Sequence, residues 1–151
     1  MQLTSIAFTE EGNIPKQHTG DGKDISPELQ WSGAPSGTKS FALICDDPDA
    51  PRGTWVHWVI FNLPADANHL PENTPPHRTL ANGAKQGTND FHKIGYGGPA
   101  PPPGKPHRYF FKLYALDTML NLPDGATKQH VEAAMKGHIL GEAHLMGKYN
   151  R

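Results

Sequence analysis

The 151-residue chain has a single cysteine, Cys45, so an intramolecular disulfide is excluded. It has no apolar run near the roughly 18 residues that suggest a membrane span. Met1 to Phe8 lacks a basic stretch followed by an apolar one, so no secretory signal is read there and a cytoplasmic location is expected. Positive charge is not in excess: 14 basic against 15 acidic residues leave a net charge of −1, which argues against nucleic acid as a partner. Charged residues (19%) and hydrophobic residues (36%) are both sparse. The deficit is filled by 16 Gly and 15 Pro. Inside a helix Pro costs about 3 kcal/mol and Gly about 1, so a helix bundle or coiled coil is excluded. Three Trp, six Phe and four Tyr argue for a packed core rather than disorder. A chain this long buries roughly 68–70% of its unfolded surface and needs no metal or disulfide to hold a core. The composition points to one loop-rich, mostly β domain spanning residues 1–151.

Charge is unevenly spread along that domain. Residues 1–75 carry 4 basic and 10 acidic groups, whereas residues 76–151 carry 10 and 5. No like-charge run exceeds two residues, so the two halves are expected to interleave in one fold. A basic binding face built from the second half is the other reading. The nine histidines are the compositional oddity.

Apolar residues at Leu3, Ile6 and Phe8 suggest a first strand. Further strands are expected at Leu29–Trp31, Ser40–Asp46, Trp55–Leu63 and His107–Leu116. Val131, Ala134, Met135 and Ile139 follow the helical period, which predicts one helix within Thr127–Leu140, with Thr127 as N-cap. Alternation at Ala143, Leu145 and Gly147 suggests a last strand. Gly95 to Pro106 holds four Gly and five Pro, and reads as a structured loop between core strands.

Strand alternation sorts the polar side chains onto faces. If the strand ending at Asp46 runs one residue further, Phe41, Leu43, Cys45 and Asp47 share a row. His57, Val59 and Phe61 share another, opposite Val56, Trp58 and Ile60. His107, Tyr109, Phe111, Leu113 and Ala115 form a third. Three apolar rows thus carry polar groups at one end: Asp47, His57, and the pair His107 and Tyr109. If the strands are neighbours, these groups line a small polar pocket. If not, each histidine is an independent strand-end residue. Gly97-Gly98 either lets backbone N–H groups approach an anion or makes an ordinary rigid turn. Asp46-Asp47-Pro48-Asp49 could hold a cation, but Asp before Pro is also common turn chemistry. Cys45 lies in an apolar strand and is expected in the core. His18, His69, His77, His92 and His130 sit in polar or loop contexts and are expected at the surface. No zinc-protease, redox-dithiol, nucleophile-elbow or phosphate-loop motif is present.

The ordered set Asp47-Pro48-Asp49-Ala50-Pro51, Gly53-x-Trp55-x-His57-Trp58, Gly95-Tyr96-Gly97-Gly98-Pro99 and Pro101-Pro102-Pro103-Gly104 before His107-Arg108-Tyr109 resembles the phosphatidylethanolamine-binding protein family. The match is nearest to its bacterial, Raf-kinase-inhibitor-like branch. Ser26-Pro27-x-Leu29-x-Trp31, Asn89-Asp90-Phe91 and Gly141-Glu142 through Gly147-x-Tyr149 also fit, so the likeness runs from Phe8 to Arg151. It implies an antiparallel β-sandwich with Greek-key connections and a peripheral C-terminal helix. It also implies an anion pocket at one end, formed by Asp47, His57, His107 and Tyr109. Pro48 and the loop from Gly97 through Gly98 to Pro103 would form the rim. A cis peptide at Ala50–Pro51 is a candidate, since tight X-Pro turns favour it. Two departures stand out: Ala100 where bacterial members commonly have Cys, and His92 where they commonly have Gly.

The resemblance implies a non-catalytic binding protein for phosphate, a phosphomonoester or a phospholipid headgroup such as phosphoethanolamine. A phosphorylated protein or kinase is an expected partner class, and a homodimer is expected. No cofactor is implied. His57, His107 and Tyr109 supply donors, and Asp47 would hold one histidine in the correct tautomer. Binding is expected to weaken as pH rises past the histidine pKa values. One alternative is an acid–base or metal-assisted hydrolase using the same four residues. Another is a protein–protein module using an edge or rim around Trp55 and Trp58.

Overall fold

Ser40 to Asp47 is an unbroken β-compatible run with apolar residues on both faces, and such a strand must lie inside a sheet covered twice. It does. The computed structural model describes residues 1–151, and every residue of that strand is buried. The strands are β1 (Gln2–Thr4), β2 (Leu29–Ser32), β3 (Ser40–Asp47), β4 (Trp55–Pro64), β5 (His69–Leu70), β6 (Lys85–Gln86), β7 (His107–Leu116) and β8 (Ile139–Tyr149), with helix α1 (Lys128–Met135) before β8. They form a three-stranded sheet, β1-β2-β5, and a five-stranded sheet, β6-β4-β3-β7-β8. All strand pairs are antiparallel. β3, β4 and β6 lie side by side, and the chain then returns to place β7 beside β3, which is the Greek-key connection.

The core has two layers. Between the sheets, Leu29, Trp31 and Leu70 meet Phe41, Leu43, Trp58, Ile60, Phe111 and Leu113. Trp31 and Phe41 cross this layer edge to face, 5.6 Å between ring centres. On the outer face of the large sheet, Val131 and Met135 of α1 cover Ala42, Ile44, Val59 and Phe61. The Thr127 side chain caps α1 by accepting from the His130 N–H. The helix stops at Met135, short of the expected Leu140, because Gly137 turns the chain with φ +83° and Ile139 begins β8. The first strand is also shorter than expected: Ile6 is exposed, and Phe8 reaches the core from outside β1. All peptide bonds are trans, so Ala50–Pro51 is not the cis bond that the tight turn suggested.

The two charge halves do interleave. Asp46 binds Lys112 and Lys128, at 3.1 and 2.7 Å. Asp47 binds His107 at 2.7 Å, Asp49 binds Arg108 at 2.9 Å, and Asp21 binds Arg151 at 2.9 Å. Each acid of the Asp46-Asp47-Pro48-Asp49 run therefore has its own basic partner from the second half.

Candidate functional site

At one end of the large sheet β3, β4 and β7 bring Asp47, His57, His107 and Tyr109 around a cavity of about 170 Å³. That is below the roughly 300–1,000 Å³ of sites for drug-sized ligands and suits a group of a few heavy atoms. Ala50, Pro51, Trp55, Phe91, Ala100, Pro101 and Pro102 complete the lining. The strands are therefore neighbours, and the alternative of independent strand-end histidines is set aside for this quartet.

His57 reaches the pocket by a route that simple alternation misses. Alternation assigns it to the row of Val59 and Phe61, which face the helix. The β3–β4 register steps from Cys45↔Trp58 to Asp46↔Val56, so His57 is the extra residue of a bulge. The bulge turns Val56 to the helix side and lets the imidazole meet Tyr109, 5.2 Å between ring centres. Asp90 holds this irregularity. Its carboxylate accepts from the Val56 N–H at 2.7 Å, and its own N–H donates to the Val56 carbonyl at 2.9 Å. The adjacent Asn89 accepts from the N–H groups of Phe91 and Lys93 and donates to the Gly95 carbonyl. That tight turn sets Phe91 edge-on against both Trp55 and His57. It also places His92 at φ +62°, in the region where a glycine is least strained.

The two histidines have different partners. His107 Nδ1 donates to Asp47 Oδ2 at 2.7 Å, and the Asp49 N–H donates to Asp47 Oδ1 at 2.7 Å. His57 Nδ1 donates to the Gly97 carbonyl at 2.6 Å, while the Gly97 N–H donates back to the His57 carbonyl at 2.9 Å. Burial pushes the His57 pKa below its ordinary 6.5, against the opposing pull of the Gly97 carbonyl and of Asp47. Burial first, then the Asp47 charge, pushes the Tyr109 phenol well up, so it stays an O–H donor at neutral pH. Nε2 of His57, Nε2 of His107 and Oη of Tyr109 have no partner within the protein, yet none is sealed from solvent.

Pro48, Gly97 and Gly98 do not line the cavity. The glycines permit a close approach, as their type suggested, but the chain approaches itself. A Cβ on Gly97 would stand 2.5 Å from the Phe91 ring, and one on Gly98 2.3 Å from the His18 carbonyl oxygen. Their N–H groups are spent on the His57 carbonyl and on Asp24 Oδ1, so they offer no anion nest. His18 is the matching correction, being fully buried rather than at the surface. Its Nδ1 donates to the Ile25 carbonyl, its Nε2 accepts from the Gln17 amide, and its carbonyl accepts from the Tyr96 hydroxyl. It braces the Gly/Pro loop from behind. Trp58 is buried and donates to Gln86, so the apolar rim rests on Trp55 without it. Cys45 lies in the core, where burial pushes its thiol pKa up. No group of three His, Cys, Asp or Glu side chains is arranged to share a metal ion.

A two-sheet antiparallel sandwich with a small cavity at its strand ends, polar at a few atoms and apolar over most of its wall, has the architecture of a ligand-binding fold. The chain belongs to the phosphatidylethanolamine-binding protein family, whose model matches residues 4–150. It is 56% identical over 151 residues to a "UPF0098 protein" of Methanothermobacter thermautotrophicus, covering 100% of this chain and 99% of that one. A second "UPF0098 protein", from Aquifex aeolicus, is 50% identical, with 100% of this chain and 89% of that one covered. Among solved structures, a phosphatidylethanolamine-binding protein homologue of Chlamydia trachomatis is 41% identical, with a TM-score of 0.90 over 99% of this chain and 97% of that one. An Escherichia coli protein described as a new member of the mammalian family is 37% identical, with a TM-score of 0.92 over 99% and 98%. No helix is long and apolar enough to cross a membrane.

Proposed function

We propose that the protein is a non-catalytic binding protein that holds a phosphoryl group in the pocket of Asp47, His57, His107 and Tyr109. The observation that carries this is the convergence of three polar atoms without internal partners on one small cavity with mainly apolar walls. A phosphoryl oxygen needs donors. Tyr109 offers its hydroxyl, and His107 offers Nε2–H when its ring carries a second proton, with Asp47 as countercharge behind it. The family's printed name points to the same ligand chemistry, a phosphate carried on a lipid headgroup. The phosphate of a modified protein presents that chemistry too, so a phosphorylated partner remains the regulatory form of this reading.

The lining contains no serine, threonine or cysteine, and both oxygens of its one carboxylate, Asp47, already accept hydrogen bonds, which supports binding over attack by any of these groups. Both Asp47 oxygens already accept hydrogen bonds, which speaks against their use as metal ligands. An NMR titration of all nine histidines with phosphate and with phosphoethanolamine tests the proposal. His57 and His107 are expected to shift together along one binding curve while the other seven stay in place. If neither shifts in the folded protein, the anion site is wrong. Turnover of a phosphoester that both His57→Ala and His107→Ala abolish would replace it with the hydrolase.

A further inference from the structure

We infer that two copies of the chain pair through the free edge of β8, antiparallel about a two-fold axis at Ala143, and join their large sheets into one continuous sheet. The inference is independent of the anion-site reading above.

β8 is an edge strand, with β7 as its one neighbour in the large sheet. Such an edge carries N–H and C=O groups without strand partners, and proteins commonly cover, shorten or charge it. Here the cover is partial. The Met146 N–H donates to the Glu10 carboxylate, and the Met146 carbonyl accepts from the Glu11 N–H. The Lys148 N–H donates to the Gly12 carbonyl, and the Lys148 carbonyl accepts from the Ile14 N–H. The main-chain groups of Met146 and Lys148 therefore point away from β7. The alternation of an antiparallel ladder turns those of Glu142 and His144 the same way, and no loop of the chain bonds them.

This free window is symmetric. Glu10 and Glu11 close it at Met146. The bulge at Leu140 closes the other end, where the β7 register steps from Ala115↔Gly141 to Leu116↔Ile139. Both ends are equally far from Ala143. An antiparallel copy centred there sets Glu142 opposite the second copy's His144, and His144 opposite its Glu142. Each of these pairs exchanges both its main-chain hydrogen bonds.

Charge selects the register. A pair centred on Glu142 would face carboxylate with carboxylate, and like charges directly opposite destabilise a sheet. A pair centred on His144 would carry Glu142 onto the covered Met146. The Ala143 register instead gives each exposed carboxylate an imidazole N–H to accept from. Both faces leave room. On the outer face a hollow of about 320 Å³ opens among Phe110, Lys112, Tyr114, Glu142 and His144. On the inner face one of about 490 Å³ separates β8 from β1. Ile139 and Leu140, 41% and 40% exposed, flank the window where the second copy closes over it. No residue of β8 lines the phosphoryl pocket, which sits at the Tyr149 end of the strand beside His107. The two pockets therefore open at opposite ends of the joined sheet, clear of the contact. The paired edge is short, so the association is expected to be reversible.

Sedimentation velocity of the full chain from about 5 to 500 μM tests the pairing, with a shift from the mass of one chain to that of two expected across the range. His144→Pro removes an edge N–H that the monomer does not use, a change that an edge strand tolerates, and is expected to weaken association at least about tenfold. Glu142→Lys is expected to weaken it as well, and adding His144→Glu to restore it by reversing the pair, which a misfolded variant would not do. Ala143→Cys reads the axis. Opposed residues of a non-hydrogen-bonded pair stand about 4.5 Å apart at Cα, within disulfide reach, and the native Cys45 is buried. A cross-linked dimer is expected on oxidation. A monomer over the whole range, its edge then serving another protein's strand or none, would overturn the inference. So would a dimer that Ala143→Cys fails to cross-link, or one that His144→Pro and Glu142→Lys leave intact, because it pairs through another surface.

Discussion

The two walls of the pocket use the same side chain for opposite purposes. On the β7 wall, His107 has a carboxylate behind it, and Asp47 can neutralise the imidazolium when an anion needs a charged donor. On the β4 wall, His57 has only a carbonyl behind it and lies buried against Phe91 and Tyr109, so its charged form is penalised. The residue type therefore says little about the chemistry. Nδ1 donates on both walls, and what differs is the acceptor behind it: a carboxylate that can balance a charged ring at His107, a neutral carbonyl at His57.

Three changes would break or sharpen this contrast. The largest effect is expected from Gly98→Ala, whose new Cβ would lie 2.3 Å from the His18 carbonyl oxygen and 2.6 Å from Asp24 Oδ1. Because backbone is the obstacle, a loss of about 3 kcal/mol in urea unfolding is expected. The His57 NMR signal should move while that of His107 holds, and a neutral substitution would show that the loop does not set the β4 wall.

Asp47→Asn strikes the other wall. The amide oxygen can still accept one hydrogen bond, so the expected destabilisation is about 1 kcal/mol. Affinity for phosphate should fall about tenfold as the countercharge is lost, and calorimetry reads this directly. Tighter binding would show that Asp47 merely repels the ligand.

The smallest effect is in stability against pH. The folded His57 titrates below its ordinary 6.5, so the unfolded chain takes up that proton first as pH falls. Its contribution is therefore complete above about pH 6.5 and is lost progressively as pH drops below that value. Melting temperature should fall on going from about pH 7 to 5, and the fall should be shallower in His57→Gln. An unchanged slope in that variant would mean that burial does not hold the ring neutral.

The long strands were legible because their apolar runs are long and periodic. β3, β4 and β7 lie within one residue of where alternation and composition put them. Asp47, His107 and Tyr109 were legible too, as polar ends on rows that face the other sheet, whereas alternation put His57 on the helix-facing row. Two features escaped. Nothing local in Lys16-Gln17-His18 signals burial, since the partners of His18 are brought by Ile25, Tyr96 and Gly98. The bulge at His57 leaves no mark in the β4 run, because it is stabilised by Asp90, 34 residues on from Val56. The Asn89-Asp90-Phe91 motif was the available signal, and only its position against β4 gives it meaning.

Residue order alone specified a mostly β fold, its long strands, its one helix and the polar ends at Asp47, His107 and Tyr109, because period, turn residues and polar strand ends are local properties. Tertiary structure alone decided which way those side chains work. A bulge aims His57, the Gly97 carbonyl and the Asp47 carboxylate give the two imidazoles different roles, and the Gly/Pro loop packs on His18 instead of opening to an anion. The physical reason is that hydrogen-bond polarity and desolvation depend on atoms brought together from distant parts of the chain, and no residue carries that information on its own.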